Sequence, residues 1–172
     1  MTSNLTRKKI VALALIGLSS ILLTGCASGK DAPTSQIKQV TDGVEADSGL
    51  VKVRDFLLVN QPDGSAVLVG TFINQGQSND QLTGITVNGI TAKLSAPSYE
   101  LKQNQPIVFA GPSANAAGLI PGLKGQTGER YNAIINFQNA APINVNAILE
   151  SKSGYFANVS ADTFNNAENK TK

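Results

Sequence analysis

The clearest fold signal is the stretch Thr83-Gly84-Ile85-Thr86-Val87-Asn88-Gly89-Ile90-Thr91-Ala92-Lys93-Leu94. Apolar and polar residues alternate on both sides of Asn88-Gly89, as they do in strands that bury one face. Asn-Gly also accepts the positive φ angles of the tight turn that joins two antiparallel strands. The stretch therefore predicts a β-hairpin.

Further runs on both sides of this hairpin extend the β pattern. Residues 50–59 alternate and then turn apolar at Phe56, which predicts a bulge or a strand end covered on both faces. Residues 66–74 are almost continuously apolar, as expected of a central strand, and residues 131–137 and 143–149 repeat with period two. About seven or eight strands without a helix predict an all-β fold, an antiparallel Greek-key β-sandwich, with a closed barrel as the alternative.

The apolar positions of these strands predict the core. Each one falls on the face that the alternation assigns to the interior. The expected core residues are Val51, Val53, Leu68, Phe72, Ile85, Val87, Leu94, Leu101, Phe109, Tyr131, Ile135, Phe137, Val145 and Leu149.

Upstream of the strands lies a leader that ends in Leu23-Thr24-Gly25-Cys26. Arg7 to Lys9 give it a basic start, and an apolar run follows from Ile10 to Leu23. This arrangement resembles the lipobox of bacterial lipoproteins, which implies that Cys26 carries a diacylglyceryl group and that the leader is cut just before it. The alternative, an uncleaved transmembrane helix, would need roughly 20 apolar residues, more than this run provides.

The domain organisation follows from this leader. We expect a signal peptide at 1–25, a lipidated N-terminus with a flexible tether at 26–47, the β-sandwich at 48–160 and a polar tail at 161–172. The resemblance implies a membrane partner reached through the lipid, at the extracytoplasmic face of the cell membrane. Ala27 does not match the acidic retention signal of inner-membrane lipoproteins, so the outer membrane is the alternative.

The charge of the chain changes when the leader is removed. The net charge of the full sequence is +2, and loss of the three basic residues at positions 7–9, with no acid, leaves −1. The remaining Lys and Arg residues are scattered rather than clustered, whereas phosphate binding requires a basic patch. We therefore expect no nucleic-acid partner.

Composition also bears on chemistry. The chain has no His, its one Cys is Cys26, and its one Met is Met1. A serine nucleophile would need a lysine base such as Lys93 or Lys102, and lysines on strands usually keep their amines in water. We predict a protein that is not an enzyme and has no metal or cofactor. Calcium at the acids Asp42, Glu45 and Asp47 is an open alternative, although acids in a tether usually serve to solvate it.

Several phrases resemble the PCu(A)C-type periplasmic copper chaperones and their actinobacterial lipoprotein relatives. They are Val51-Lys52-Val53-Arg54-Asp55, Gly70-Thr71-Phe72-Ile73-Asn74-Gln75-Gly76, Asp80-Gln81-Leu82-Thr83-Gly84-Ile85, Leu119-Ile120-Pro121-Gly122-Leu123-Lys124 and the strand from Arg130 to Phe137. The resemblance spans about residues 49–149 and implies a cupredoxin-like or immunoglobulin-like sandwich.

The same resemblance implies a copper site of two His and two Met, and this chain departs from it. The family's His-x-Met position corresponds to Ala117-Gly118-Leu119, and its earlier His segment falls near Lys93-Leu94-Ser95. Neither segment offers the imidazole or thioether that Cu(I) prefers. Either copper is not the ligand, or the resemblance is to the scaffold alone.

Two surfaces remain as candidates for a partner. The Ala114–Gly128 segment is rich in Ala and Gly, and we expect it to be a loop in which Leu119, Ile120 and Pro121 meet an envelope protein or cover the core. Asn136, Asn144 and Asn146 alternate with apolar residues and predict a neutral outer face, most simply a solvent face. The functional expectation is a membrane-anchored envelope lipoprotein, either a non-enzymatic binding or accessory module or a divergent copper chaperone.

Overall fold

Asn88 and Gly89 close the predicted hairpin in the computed structural model, which describes residues 42–160. Their φ angles are +46° and +80°, and Val87 pairs with Ile90 across the turn. The hairpin is confirmed, but its second arm is short. After Thr91 the chain leaves its partner strand and crosses to the other sheet, while Ile90, Ala92 and Leu94 still pack against the core.

The described residues contain eleven strands and one turn of 3-10 helix. The 3-10 turn spans Gly154–Phe156. The strands are β1 Val44–Ser48, β2 Val51–Asn60, β3 Ala66–Asn74, β4 Asp80–Val87, β5 Ile90–Thr91, β6 Lys93–Leu94, β7 Tyr99–Leu101, β8 Ile107–Phe109, β9 Gly118–Ile120, β10 Arg130–Phe137 and β11 Ile143–Glu150. Within this part of the chain, no helix is long and apolar enough to cross a membrane.

The strands form a β-sandwich, as predicted. Sheet A contains β1, β2, β3, β6, β8 and β9, and sheet B contains β4, β5, β7, β10 and β11. The connections from β3 to β4 and from β9 to β10 cross between the sheets, which gives the Greek-key arrangement.

One pairing departs from the antiparallel prediction. The end of β11 runs parallel to β2, with Leu149 opposite Leu58 and Glu150 opposite Val59. Because β11 also pairs with β10, hydrogen bonding runs through both sheets in the order β5-β4-β10-β11-β2-β3-β9-β6. The sandwich is therefore nearly closed on one side, a step toward the barrel alternative.

The core lies between the sheets and matches most of the prediction. Eleven of the fourteen predicted residues are buried, while Leu94, Tyr131 and Val145 are only half-buried at its margin. Four aromatic rings run through it in sequence, with centroid distances of 6.2 Å for Phe56–Phe72, 5.5 Å for Phe72–Phe109 and 5.5 Å for Tyr99–Phe109. Their edge-to-face geometry is the arrangement that aromatic pairs prefer.

The outer face of sheet A is covered as well. Leu57, Val59 and Val67 are at most 3% exposed, yet they point away from the core residues Leu58 and Leu68 beside them. Residues 151–160, here called the C-terminal strap, are fastened at this face, where the Gln61 side chain donates to the Val159 carbonyl and accepts from Lys152 Nζ.

Both sequence predictions for residues 50–59 are therefore correct. The pairing of β2 with β3 is irregular between Arg54 and Leu57, which is the bulge. The strap covers the second face of the same strand end, which is why the alternation gives way to an apolar run.

The N-terminal boundary of the domain lies earlier than expected. The tether was predicted to continue to residue 47, but Val44–Ser48 forms β1 on the edge of β2, with Ala46 opposite Val53. This strand was not recognised in the sequence because its solvent-facing side carries the acids Glu45 and Asp47. The leader, Cys26 and the tail at 161–172 lie outside the described residues.

Candidate functional site

The two segments that the resemblance links to copper ligands lie side by side. Lys93 of β6 pairs with Leu119 of β9, and Leu94 pairs with Gly118. We call this region, residues 93–95 and 116–119 with Tyr99, the β6–β9 junction. Sequence reasoning placed the two segments separately, and the fold brings them together.

Hydroxyl groups and backbone fill the polar positions of the β6–β9 junction. Ser95 Oγ and Tyr99 Oη lie 2.6 Å apart, and Ser95 Oγ accepts the Ala117 N–H at 3.1 Å. The Ala117 carbonyl accepts from the Ser95 N–H at 3.0 Å and from Tyr99 Oη at 3.4 Å. These neutral groups satisfy one another, so the junction presents a closed hydrogen-bond network. Ser95 and Tyr99 were not singled out from the sequence, since a lone Ser or Tyr carries no such signal.

Apolar packing closes the rest of the junction. A Cβ at the buried Gly118 would overlap Leu68 Cδ1 and come within 3.2 Å of Leu94 Cδ2. Ala116 and Ala117 are also buried. Among residues 42–160, no three His, Cys, Asp or Glu side chains gather closely enough to hold a metal ion.

The predicted partner loop, residues 114–128, is irregular for most of its length but contains a short strand. Gly118–Ile120 forms β9, which pairs with β3 through Val67–Leu119 and Ala66–Ile120. Ile120 is fully buried in the core, and Leu119 and Pro121 are half-buried. Only this strand departs from the prediction, because three residues are too few to display an alternating pattern.

Two of the three acids considered for calcium, Glu45 and Asp47, have other partners, whereas Asp42 is exposed. Arg54 contacts Asp47 at 2.6 Å and Glu45 at 3.8 Å, and Lys52 contacts Asp47 at 2.9 Å. Hydrogen bonds from Arg54 and then Lys52 lower the pKa of Asp47. These contacts fasten β1 to β2 and leave Asp47 and Glu45 in ion pairs.

A shallow cleft of about 760 Å³ lies at one end of the sandwich and is lined mainly by amides and hydroxyls. Two buried polar residues shape it. Asn74 donates to the carbonyls of Ser78 and Leu101 and accepts the Gly76 N–H at 2.8 Å. The second is Asp80, whose carboxylate accepts the N–H groups of Gln81, Asn139 and Ala140 at 2.7–2.9 Å.

The backbone contacts of Asp80 determine its titration. Burial acts to raise its pKa, but the hydrogen bonds from Asn139, Gln81 and Ala140 outweigh burial, and the pKa is lowered. Asn74 and Asp80 belong to the phrases that carry the family resemblance. Their hydrogen bonds to backbone groups hold the shape of the neighbouring loops.

The neutral face on sheet B has the expected residues. Asn144 and Asn146 are exposed and Asn136 is half-buried, and Asn132 Nδ2 donates to Asn144 Oδ1 at 2.5 Å. The one exposed large apolar side chain beside them is Ile134. Nothing in this arrangement distinguishes the face from an ordinary solvent surface.

Solved structures share the fold of this chain. The apo PCuAC domain from PmoF1 aligns with a TM-score of 0.55 and 21% identity, over 63% of this chain and 99% of that domain. The copper-bound PCuAC domain from PmoF2 aligns with a TM-score of 0.55 and 14% identity, over 63% and 98%, respectively. The apo PmoF2 domain gives 0.56 and 14%, over 64% and 98%. At these identities the likeness concerns the fold.

Neither of the two sequence comparisons found a match. No family model matches the chain, and no curated protein matches it. The expected PCuAC-like sandwich is supported by the similarity to solved structures. Because that similarity concerns the fold, the function has to be argued from the site.

Proposed function

We propose that this chain is a lipid-anchored protein of the cell envelope whose β-sandwich acts as a non-enzymatic binding or accessory module. The observation that carries the proposal is the β6–β9 junction. In the region that the resemblance links to copper ligands, Ser95, Tyr99 and Ala117 bond to one another, and Gly118, the middle residue of the His-x-Met pattern, has no space for a Cβ. We infer that the chain keeps the scaffold of a copper chaperone without its donor atoms.

Anchoring by lipid is the second part of the proposal. Cys26 is the only cysteine, and it follows Leu23-Thr24-Gly25 at the end of an apolar leader. Two or three acyl chains hold a protein stably at a bilayer, whereas one does so only marginally. We place the domain at the extracytoplasmic face of the cell membrane, with the outer membrane as the alternative, where an envelope protein is the expected partner.

Intact-mass measurement tests the anchor. The full chain is expressed in a bacterium and extracted from its membranes with detergent, beside a C26S control. We expect the wild-type mass to show loss of residues 1–25 and gain of a diacylglyceryl group, while C26S retains its leader. A wild-type chain with its leader attached and Cys26 unmodified would contradict the proposal.

The surroundings of Lys93 and Lys102, the two candidate bases, support a non-enzymatic role. Lys93 is exposed on β6, and Lys102 Nζ lies 3.3 Å from the Glu100 carboxylate on an open surface. A lysine acts as a base only after an apolar site has favoured loss of its proton. Neither candidate lysine is in such a site.

Copper handling is the second candidate, and one observation favours it. The sandwich resembles a PCuAC domain that was solved with copper bound. For this chain to hold copper, a partner or unusual ligands would have to supply the donors. Stoichiometric Cu(I) binding by the full chain would favour this candidate over the first.

A further inference from the structure

A second cavity, separate from the β6–β9 junction, lies where the C-terminal strap crosses sheet A. We call it the strap pocket. Its volume is about 490 Å³, within the range of pockets that hold small organic ligands. The bulge of β2, the loop after β8 and the strap form its walls. The lining residues are Asp55, Val69, Gly70, Thr71, Val108, Phe109, Ala110, Gly111, Pro112, Ser113, Tyr155, Phe156, Asn158 and Val159.

The lining of the strap pocket carries a single charged side chain, which is acidic. Asp55 is the one Asp or Glu in its lining, and the lining includes no Lys or Arg. The Asp55 carboxylate accepts the Gly43 N–H at 3.2 Å, and among residues 42–160 it forms no ion pair. The other acids nearby on β1 are already paired with Arg54 and Lys52. A cationic ligand would complement the negative charge of the Asp55 carboxylate.

Aromatic and apolar groups complete the strap pocket. Tyr155 is 92% exposed, and its ring lies 5.3 Å from that of Phe156 in an edge-to-face pair. The face of an aromatic ring attracts ammonium groups. Val69, Val108 and Val159 supply an apolar wall that would suit the body of such a ligand.

The backbone of the strap pocket is held in strained conformations. Asp55 and Ala110 have φ angles of +52° and +63°, values that non-glycine residues rarely adopt. Gly70 and Gly111 in the same lining also have positive φ, and Gly70 lies against Phe56. Strained residues persist where the surrounding structure holds them, and they cluster at ligand sites.

We propose that the strap pocket binds a small organic ammonium ion with an apolar body. Asp55 would pair with the ammonium group, Tyr155 would contact it through its ring, and the valine wall would receive the apolar part. This assignment names a ligand class for the proposed binding role and rests on it. The intact mass of the chain tests the anchor independently, so failure of ligand binding and failure of anchoring are distinguishable.

The test uses the full chain in detergent with 2-phenylethylammonium as the probe. Calorimetric titration gives its affinity, and two matched compounds, neutral 2-phenylethanol and anionic 3-phenylpropionate, report the contribution of charge. We expect saturable binding of the ammonium probe, roughly 10-fold weaker binding of the alcohol and no binding of the acid. Absence of saturable ammonium binding, or equal affinity for the alcohol, would overturn the proposal.

The key variant is D55N, which keeps an amide oxygen for the Gly43 N–H. Asn also tolerates positive φ, so we expect the fold to persist, as circular dichroism will check. Binding of the ammonium probe should fall by roughly 10-fold while binding of the alcohol stays constant. E100Q, which removes a carboxylate on β7, is the matched control and should bind like the wild type. Equal ammonium affinity in D55N and wild type would also overturn the proposal.

Y155L provides a second, independent readout because Tyr155 makes almost no contact with the fold. Loss of its ring should weaken the ammonium probe by several-fold with little change in unfolding. An unchanged affinity would exclude the aromatic contact and overturn that part of the proposal.

Discussion

The β6–β9 junction and the strap pocket both border sheet A, and they differ in whether their groups leave open space. At the junction, Ser95, Tyr99 and Ala117 satisfy one another, and Gly118 has no space beside Leu68. At the pocket, a volume of about 490 Å³ is bordered by Asp55, a carboxylate without a basic partner among residues 42–160. One region is closed by packing, and the other leaves a cavity.

This difference separates scaffold from chemistry. The resemblance to copper chaperones pointed to the junction, and the fold agrees with that resemblance. A sandwich can keep its architecture while its chemistry changes, because function depends on the site and the fold alone does not determine it. The strap, which completes the wall of the strap pocket, lies outside residues 49–149, the range of the resemblance.

The largest expected effect on stability comes from Asp80, which lies in neither the β6–β9 junction nor the strap pocket. Its replacement gives a reference against which variants in the two regions can be compared. Replacing it by Asn puts an amide donor against backbone N–H groups, and we expect D80N to lower the free energy of unfolding by about 3 kcal/mol. Urea denaturation at neutral pH measures this. The control is E100Q, which replaces an exposed carboxylate of β7. Its free energy of unfolding should change by less than about 0.5 kcal/mol.

The pH dependence of Asp80 has a definite sign. Its folded pKa is lowered, so its stabilising contribution is complete above the ordinary carboxyl pKa of about 3.9 and is lost as the pH falls through the folded pKa. Wild-type stability should therefore decrease in acid more steeply than that of D80N. If the free energies of unfolding of wild type and D80N fell equally as the pH decreased, this assignment would be contradicted.

Filling the junction should have the next largest effect. G118A places a methyl group against Leu68, and we expect a loss of about 2 kcal/mol from overpacking. G84A is the matched control, because Gly84 lies in β4 with open space where its Cβ would stand. Denaturation midpoints compare the two. Equal stability of G118A and wild type would mean that the junction has spare room.

A pair of tyrosine variants compares the two regions directly. Y99F removes a buried hydroxyl from the junction network and should cost about 1 kcal/mol. Y155F removes a hydroxyl that is almost fully exposed at the strap pocket, and it should leave unfolding unchanged. Similar losses in both variants would remove the distinction between a closed region and an open one.

The smallest expected effect is a gain in stability. Ala110 has a φ of +63°, so A110G should relieve strain at the strap pocket and raise the free energy of unfolding by up to about 1 kcal/mol. A117G at the buried junction should instead lower it. A loss of stability in A110G would argue that the backbone at the pocket is not strained.

Much of the sandwich could be predicted from the sequence. Alternation in residues 131–137 and 143–149 matches β10 and β11, and Asn88-Gly89 identified its turn, because period and turn chemistry are local properties. The switch of the chain between sheets after Thr91 could not be predicted. Ile90 and Leu94 face the same core from either sheet, so the pattern is identical in both arrangements.

The strap pocket could not be found from the sequence. The apolar run at the end of β2 indicated a second cover, but the covering residues 151–160 have no period that would identify them. Asp55 also gives no signal by itself, since its position at the pocket comes from the bulge and a positive φ. The residues of a site gathered from distant loops become visible only when the chain is folded.

The central claim is that this chain has the fold of PCuAC domains but does not bind copper. A Cu(I) competition tests it most directly. The full chain carrying C26S, which removes the only thiol, is titrated in detergent against a colorimetric Cu(I) chelator of nanomolar affinity. We predict that the chelator keeps its copper, because the junction offers hydroxyls and carbonyls rather than soft donors. Withdrawal of one equivalent of Cu(I) by the protein would contradict the account and restore copper handling as the function.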